Sequence, residues 1–210
     1  KYDKMKKIQN IIHRFIKLLE NMDLKIEDGV VFGFLGPNGA GKTTTIDMIT
    51  GILKIDNGDI LVDGKSIIKY PIAAKSKLGF VPDSPEVFEK LTGLEYLNFI
   101  ADVYGVNDKT RMEKITVLAN EFGIYDNLKS RIQSYSHGMK QKIALIAALT
   151  HNPKVLIMDE PFVGLDPKAV YDVKNIMNEM IKDGKIVFFS THILDVAEKL
   201  CSRVAIIKKG

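Results

Sequence analysis

The sequence predicts an α/β fold that is built on a mostly parallel sheet. Two apolar runs, residues 30–35 and 155–158, have the length and composition of buried strands, and each ends directly in polar residues. In open α/β sheets, ligands bind at the carboxyl ends of the strands. Residues of roughly 84 to 150 have mostly helical patterns, so a helical insert interrupts the strands.

The first of these runs leads into the phosphate-binding loop pattern G-x-x-x-x-G-K-[ST], also called Walker A. Glycines let the backbone wrap around phosphate oxygens, and the helix expected to follow, which ends near Gly51, offers free N–H groups to an anion. Lys42 can reach the β- and γ-phosphates, and the Thr43 hydroxyl can ligate Mg²⁺. The alternative is a glycine-rich turn that matches by chance. The predicted binding residues are Gly36, Pro37, Asn38, Gly39, Ala40, Gly41, Lys42, Thr43 and Thr44.

Composition is that of an ordinary globular protein. The chain has 210 residues, 46% apolar and 27% charged, which suits one or two domains with a real core. The single cysteine, Cys201, excludes an internal disulfide. No run of about eighteen apolar residues predicts a membrane span, and no signal peptide is visible. A net charge of +4 permits nucleic acid or an acidic membrane surface without favouring either.

The first segment has two interpretations. Apolar residues at helical spacing between residues 8 and 19, with lysines for the other face, favour an amphipathic helix of the kind that lies on a membrane surface. The alternative is an edge strand, a turn, and a second strand over residues 22–26, with Asp28-Gly29 as the turn into the strand that precedes the loop. Periodicity alone favours the helix.

In the middle of the chain, turn residues alternate with short stretches that have strand or helix patterns. Asp56-Asn57-Gly58 and the turn near Gly64 bracket a short strand and predict an antiparallel hairpin. Residues 78–81 predict another strand, which Pro82 closes. Thr92 and Glu95 have capping-box spacing for a helix that ends at Gly105. The next predicted helix begins at Asp108 or Thr110 and runs to Gly123.

Polar residues also mark a later helix start and a strand end. Ser136 is a natural N-cap for the alanine-rich helix that follows it, although capped helix starts are common. Asp159 and Glu160 follow an apolar strand, as in a Walker B pattern. Asp159 would hold Mg²⁺ through water, and Glu160 would orient or deprotonate the attacking water. The alternative is a strand that ends at a polar surface turn.

The last third continues the α/β pattern. Asp166 is an N-cap with Pro167 at the first helical position, and Asp183-Gly184 ends that helix. A buried strand over residues 186–189 precedes Ser190-Thr191-His192. A histidine just past a core strand could contact a γ-phosphate, but a lone histidine is more often a structural group. Residues 204–207 predict the last strand.

Together these motifs resemble the ATP-binding-cassette (ABC) family over nearly the whole chain. The segment Tyr-Ser-His-Gly-Met-Lys-Gln over residues 135–141 resembles its signature L-S-G-G-Q, residues 164–166 its D-loop, and His192 its switch histidine. A signature shortly before Walker B is specific to this family. The variant S-H-G-M, with L-T-G-L-E-Y-L earlier, most resembles the ATPase subunits of ABC-2 type exporters of drugs, bacteriocins and lantibiotics.

The resemblance implies a single ABC ATPase domain over residues 1–210, with three parts. These are a small antiparallel β-subdomain (about 1–35 and 58–70), a helical signature subdomain (about 84–150) and a P-loop NTPase core with a mostly parallel sheet. Two subunits, a homodimer or a pair of related cassettes, would pack head to tail, with each ATP between Walker A of one and the signature of the other. The residues implied to join the nucleotide site are Ser136, Gly138, Met139 and Asp166.

The implied function is an ATPase that powers a separate transmembrane permease, an exporter, from the cytoplasmic face of the membrane. ATP and Mg²⁺ are the implied cofactors, and ATP binding closes the dimer while hydrolysis opens it. Lys42, Glu160 and His192 are the implied catalytic residues. Thr43, Asp159 and Asp83 are the implied Mg²⁺ ligands.

Three positions depart from the family pattern. Asp83 stands where the family has glutamine; it can offer oxygen to Mg²⁺, but it is one methylene shorter and adds a negative charge. His137 and Met139 alter the signature. For adenine stacking, Phe15 is the best aromatic candidate and Tyr2 the second. The resemblance also makes residues 6–15 a strand, against their helical periodicity.

Two competing functions remain at this point. A soluble ABC ATPase that acts on ribosomes or nucleic acid is permitted by the charge, but such proteins usually carry two cassettes or coiled-coil insertions, and no basic stripe with aromatics stands out. A small-molecule kinase would use the same loop. The signature and the position of Glu160 argue against a kinase, which shields its acceptor from water.

Overall fold

The structure is a computed structural model that describes residues 23–85 and 87–208. Its elements form a central parallel sheet, a small hairpin and seven α-helices within these ranges. In chain order they are β1 (Val31–Leu35), α1 (Lys42–Ile49), β2 (Leu61–Val62), β3 (Lys65–Ser66), α2 (Pro71–Lys75), β4 (Leu78–Val81), α3 (Gly93–Val103), α4 (Asp108–Glu121), α5 (His137–Thr150), β5 (Val155–Met158), α6 (Pro167–Lys182), β6 (Ile186–Thr191), α7 (Leu194–Leu200) and β7 (Arg203–Ile206). Two short 3₁₀ turns, Tyr125–Asn127 and Ile132–Ser134, precede α5.

The central sheet has five parallel strands in the order β4-β5-β6-β1-β7. Leu35 lies opposite Thr191 across the β1–β6 pair, and Met158 lies opposite Phe189 across the β5–β6 pair. Because all the strands run the same way, their carboxyl ends meet at one edge. This architecture, with the antiparallel hairpin of β2 and β3, confirms the predicted α/β fold with a mostly parallel sheet.

The central strands β1, β5 and β6 are buried on both faces, which explains why they are mostly apolar, whereas the edge strand β7 is largely exposed. Phe189 and its inward neighbours pack under α3 to α6, in the larger core cluster. Phe188 points to the opposite face, where its ring stacks on Phe32 with centroids 5.6 Å apart, beside α1 and the hairpin. Alternate residues of the central strands therefore pack into two separate cores on opposite faces of the sheet.

Polar residues at the helix starts confirm most of the predicted caps. Thr92 and Glu95 form both bonds of a capping box at α3. The hydroxyl of Ser136 accepts from the N–H of Met139 at α5, and a carboxylate oxygen of Asp166 accepts from the N–H of Ala169 at α6. At α4 the helix begins at Asp108, as predicted, but the preceding Asn107 provides the cap.

Several boundaries differ from the predictions. Residues 23–26 form no strand, which contradicts the second strand predicted over residues 22–26. Strand β6 continues through Ser190 and Thr191, because these residues still pair with β1. Helices α2 and α7 were not predicted; both are short, so periodicity has little to act on. The conformation predicted for residues 6–15, and the aromatic residues Phe15 and Tyr2, lie outside the described residues.

Within the described ranges, every helix is too short or too polar to cross a lipid bilayer. The longest, α6, has sixteen residues and one strongly apolar side. That side carries Ile176, Met177 and Met180, which are buried in the larger core. The helix therefore uses its apolar residues to cover the sheet.

Truncation of a core side chain tests the packing under α5. Ile146 of α5 is 0% exposed, whereas Ile72 of α2 is 86% exposed. We expect Ile146→Ala to lower the free energy of unfolding by about 2–5 kcal/mol, because it removes buried methyl groups and leaves a cavity. Ile72→Ala is the matched control and should change it by less than about 0.5 kcal/mol. Equal losses in urea titrations of the two variants would contradict this packing.

Candidate functional site

The site lies at the carboxyl edge of the sheet, where the segments that follow three strands come together. The phosphate-binding loop, residues 36–44, follows β1, and Asp159 and Glu160 follow β5. Ser190 and Thr191 are the last residues of β6, and His192 follows them. Because β6 lies between β1 and β5, its last residues stand between the loop and the two acids. This is the edge where ligands bind in open α/β sheets.

The loop has the backbone shape of an anion cradle. Gly39 and Gly41 have φ values of +77° and +104°, a region that residues with a side chain rarely adopt. At Gly36, an added Cβ would lie 2.6 Å from the carbonyl oxygen of Ile207. No side chain of a described residue caps α1, which begins at Lys42. The first N–H groups of the helix are therefore available to a phosphate.

Lys42 is directed into the site by the loop itself. Its side chain is 6% exposed, and Nζ donates to the carbonyl oxygens of Gly36 at 2.9 Å and Pro37 at 3.3 Å. Nζ also lies 3.4 Å from Oε1 of Glu160. A buried ammonium requires such partners, because burial without them would disfavour its charge. The ion pair joins the loop to the end of β5.

Asp159 joins the polar residues of the site through hydrogen bonds. It is 2% exposed, its Oδ2 accepts from Oγ1 of Thr43 at 2.7 Å, and its Oδ1 accepts from the hydroxyl of Ser190. The N–H of Glu160 in turn donates to Oγ of Ser190 at 3.1 Å. The paired hydroxyl and carboxylate oxygens are the hard donors that Mg²⁺ prefers. Ser190 was not predicted as a site residue, although its position directly after an apolar strand was a usable signal.

Glu160 is held between two other candidate residues. Its Oε1 lies 3.0 Å from Nδ1 of His192 and 3.4 Å from Nζ of Lys42, and its side chain is 13% exposed. The backbone of Glu160 has φ of +46°, which costs a non-glycine residue about 1–3 kcal/mol. Such strain persists where the surroundings dictate the conformation. Here the bond from the Glu160 N–H to Ser190 and the two carboxylate contacts do so.

Asp83 lies at the end of β4, on the far side of β5 from the loop. It is exposed, and its side chain makes no hydrogen bond or ion pair with another described residue. Partial burial, and then the negative charges of Asp159 and Glu160, raise the pKa of its carboxyl. Asp83 therefore lies close enough to Asp159 and Glu160 for their charges to affect its pKa, but it makes no hydrogen bond to either of them. Among the described residues, no three His, Cys, Asp or Glu side chains are grouped to hold a metal.

The residues of the predicted signature occupy the start of α5. In the described part of the chain, Ser136, Gly138 and Met139 make no hydrogen bond to the phosphate-binding loop. Gly138 lies instead beside the segment that follows Glu160: an added Cβ at Gly138 would stand 3.2 Å from the carbonyl oxygen of Gly164. The N–H of Ala169 and the ammonium of Lys142 lower the pKa of Asp166, which caps α6.

Comparison with known proteins finds a matching family and similar proteins. The family model described as ABC transporter matches residues 19–163. The uncharacterized ABC transporter ATP-binding protein YhcH of Bacillus subtilis is 39% identical over 92% of this chain. The linearmycin resistance ATP-binding protein LnrL of the same species is 36% identical over 92% of the chain. The chain spans 63% of the length of YhcH and 62% of LnrL.

A solved structure has the same fold. The structure described as "Structure of ATP binding subunit of ABC transporter" superposes with a TM-score of 0.88 at 34% identity, over 92% of this chain and 80% of that one. The arrangement of the sheet and of the helices around it is therefore shared with a protein of this kind.

Removal of the Ser190 hydroxyl tests the hydrogen bonds around Asp159. Ser190 is 0% exposed and bonds both Asp159 and the N–H of Glu160. We expect Ser190→Ala to lower the free energy of unfolding by about 1–3 kcal/mol, because a buried carboxylate oxygen loses its donor. Ser76→Ala, which removes an exposed hydroxyl that donates to the carbonyl oxygen of Ala73, is the control. Denaturant titration should separate the two variants; identical midpoints would argue against these hydrogen bonds.

Proposed function

This chain belongs to the ABC transporter family, and we propose that it binds and hydrolyses ATP as the nucleotide-binding subunit of a membrane transporter. The observation that carries the proposal is the convergence of Lys42, Glu160 and His192, which are far apart in sequence, at the mouth of the phosphate-binding loop. A structural role alone does not require a strained glutamate between a buried lysine and a histidine.

In this proposal the loop of residues 36–44 holds the phosphates through its N–H groups, and Lys42 turns from the loop carbonyls toward them. Thr43 and Asp159 would hold Mg²⁺, directly or through water, because they supply adjacent hard oxygens. The bound ion would supply charge neutralisation at the transferred phosphoryl group. Asp83, which makes no contact with either residue, would reach the ion only through water.

Glu160 would orient and deprotonate the attacking water. A carboxylate does this when it is fixed within hydrogen-bond reach of the water, and both Lys42 and His192 contact Oε1 of Glu160. His192 would therefore hold the carboxylate from the solvent side and would also stand close to the γ-phosphate. These two contacts fix the direction of the Glu160 carboxylate.

We also propose the head-to-tail dimer, because the signature residues lie away from the phosphate-binding loop of their own chain. Ser136, Gly138 and Met139 at the start of α5 would complete the site of a second subunit, with Asp166 at the interface. We propose that the chain divides into a β-subdomain (about 1–35 and 58–70), a helical subdomain (about 84–150) and the core. Closure on ATP would be the two-state element that drives a partner.

The transport step and its direction rest on the relatives. The name of LnrL, linearmycin resistance, fits removal of a toxic compound, and the similar solved structure is that of a transporter subunit. We therefore propose that this chain energises an exporter, bound to a separate permease at the cytoplasmic face of the membrane. These relatives favour transport over an ATPase that acts on ribosomes or nucleic acid.

Affinity purification from gently solubilised native membranes tests the partner. We expect the tagged protein to bring down a multi-span membrane protein in stable amounts, because ATP-driven closure needs a permease to act on. Mass spectrometry identifies the partner, and a tagged unrelated peripheral protein serves as the control. Recovery of ribosomal proteins or nucleic acid in place of a membrane protein would contradict the transport proposal and leave the ATPase chemistry intact.

Replacement of the glutamate tests the chemistry. We expect Glu160→Gln to bind MgATP while hydrolysis falls by about 10²- to 10⁴-fold, because the amide keeps the shape and loses the base. Phosphate release and equilibrium nucleotide binding measure the two effects. Glu113→Gln, an exposed change of the same type on α4, should leave both unchanged. Turnover at the wild-type rate in Glu160→Gln would remove Glu160 from the reaction.

A further inference from the structure

The residues between Glu160 and the start of α6, here called the 160–166 loop, are anchored at one end to the sheet. The N–H of Glu160 donates to Ser190, and the N–H of Val163 donates back to the carbonyl oxygen of Glu160 at 3.2 Å. The ring of Phe162 packs edge-on against Phe189 of β6, with centroids 5.7 Å apart. These contacts fix the first half of the loop to strand β6.

The second half of the loop lies on α5. Gly164 has φ of +76°, and an added Cβ there would lie 2.5 Å from Cδ2 of His137. The imidazole of His137 therefore covers Gly164 at van der Waals distance, and Gly138 comes close to the carbonyl oxygen of the same residue. The start of α5 and the middle of the loop are packed together without room for a larger residue.

Lys142, one turn further along α5, makes the polar contact. Its side chain is 14% exposed, and Nζ lies 2.9 Å from Oδ2 of Asp166. The other oxygen, Oδ1, accepts from the N–H of Ala169 at 2.8 Å, so each oxygen of Asp166 has its own donor. Lys142 thus ties the end of the loop and the start of α6 to the signature helix.

Gln141 makes no such polar contact with the described residues of the 160–166 loop. It lies four residues after His137, so helical spacing places it on the same side of α5. It is 0% exposed, and within the described residues neither atom of its amide has a hydrogen-bond partner. Lys142 lies four residues after Gly138, which also approaches the loop, and its ammonium donates to Asp166.

We propose that Lys142 is a positioning residue for ATP hydrolysis, which holds Glu160 in place through the 160–166 loop. The inference rests on the proposed ATPase function and goes beyond it. The helix start that would meet the partner subunit's ATP is, through Lys142 and His137, attached to the loop that carries the glutamate of the chain's own site. A shift of α5 is therefore transmitted to Glu160 by contacts within one chain.

Lys142→Met tests this proposal, because it keeps the apolar stem and removes the charge. We expect kcat for MgATP to fall roughly 3- to 30-fold, the range of couplings carried by intervening residues, with KM and the melting temperature close to wild type. Lys142→Arg should restore most of the kcat. The matched control is Lys185→Met: Lys185 is also 14% exposed and ion-paired, with Asp183, at the opposite edge of the sheet.

Hydrogen exchange gives a readout independent of turnover. The Val163 amide should exchange faster in Lys142→Met and not in Lys185→Met, since loosening of the loop frees its bond to Glu160. If Lys142→Met is poorly folded, Asp166→Asn, which keeps a capping oxygen and removes the ion pair, should show the same loss of kcat.

The possible failures are distinguishable. A wild-type protein that neither binds nor hydrolyses MgATP would overturn the proposed function itself. An active wild type whose Lys142→Met variant matches Lys185→Met in kcat and exchange would overturn the role of Lys142 alone. A fall in kcat that merely follows a fall in melting temperature, without rescue by arginine, would also overturn it.

Discussion

One buried carboxylate joins the parts of this molecule that matter for its chemistry. Asp159 accepts a hydrogen bond from Thr43, which follows β1, and another from Ser190, which ends β6, while it ends β5 itself. A carboxylate that is 2% exposed is tolerated only with such partners, because burial without them is very unfavourable. The register of three neighbouring strands is therefore coupled to the geometry of the site: a slip of β1 or of β6 would remove one of the two donors of Asp159.

The two cores below the site explain why its geometry can be held. Strand residues such as Phe188 and Phe189 point to opposite faces, and each face is covered, so the strand ends have little freedom. Strain can then be concentrated at the edge. Glu160 with its positive φ, and an uncapped α1, would be unfavourable in an isolated segment, but the packed sheet beneath them supports both.

The signature helix gives the site a second support. Helix α5 is covered by the larger core along most of its length, while its first turns lie on the 160–166 loop. The loop thus contacts a rigid strand at one end and, at the other, a helix whose start is exposed. A nucleotide-driven movement of the helix would reach Glu160 through this loop, whereas the strand contacts of Ser190 and Phe162 would resist it. In the proposed function, this balance would link hydrolysis to closure.

The sequence by itself determined the local features. The phosphate-binding loop, the caps at Thr92, Ser136 and Asp166, and the acids after β5 were all predictable, because each depends on bonds that span three or four residues or on a buried strand. The α/β class followed from the same patterns. The two short helices were not predictable, because so few residues show little periodicity, and the carboxyl end of β6 was not, because it depends on pairing with β1.

Only the tertiary structure decided which of these features meet. Strand order placed β6 between β1 and β5, so that Ser190 reaches Asp159 and His192 reaches Glu160. Tertiary packing also left Asp83 near both acids without a hydrogen bond to either in the described part of the chain, and it brought Lys142 to Asp166. No local pattern encodes these contacts. They arise because parallel strands join residues distant in sequence, in an order that is set by the packing of both faces of the sheet.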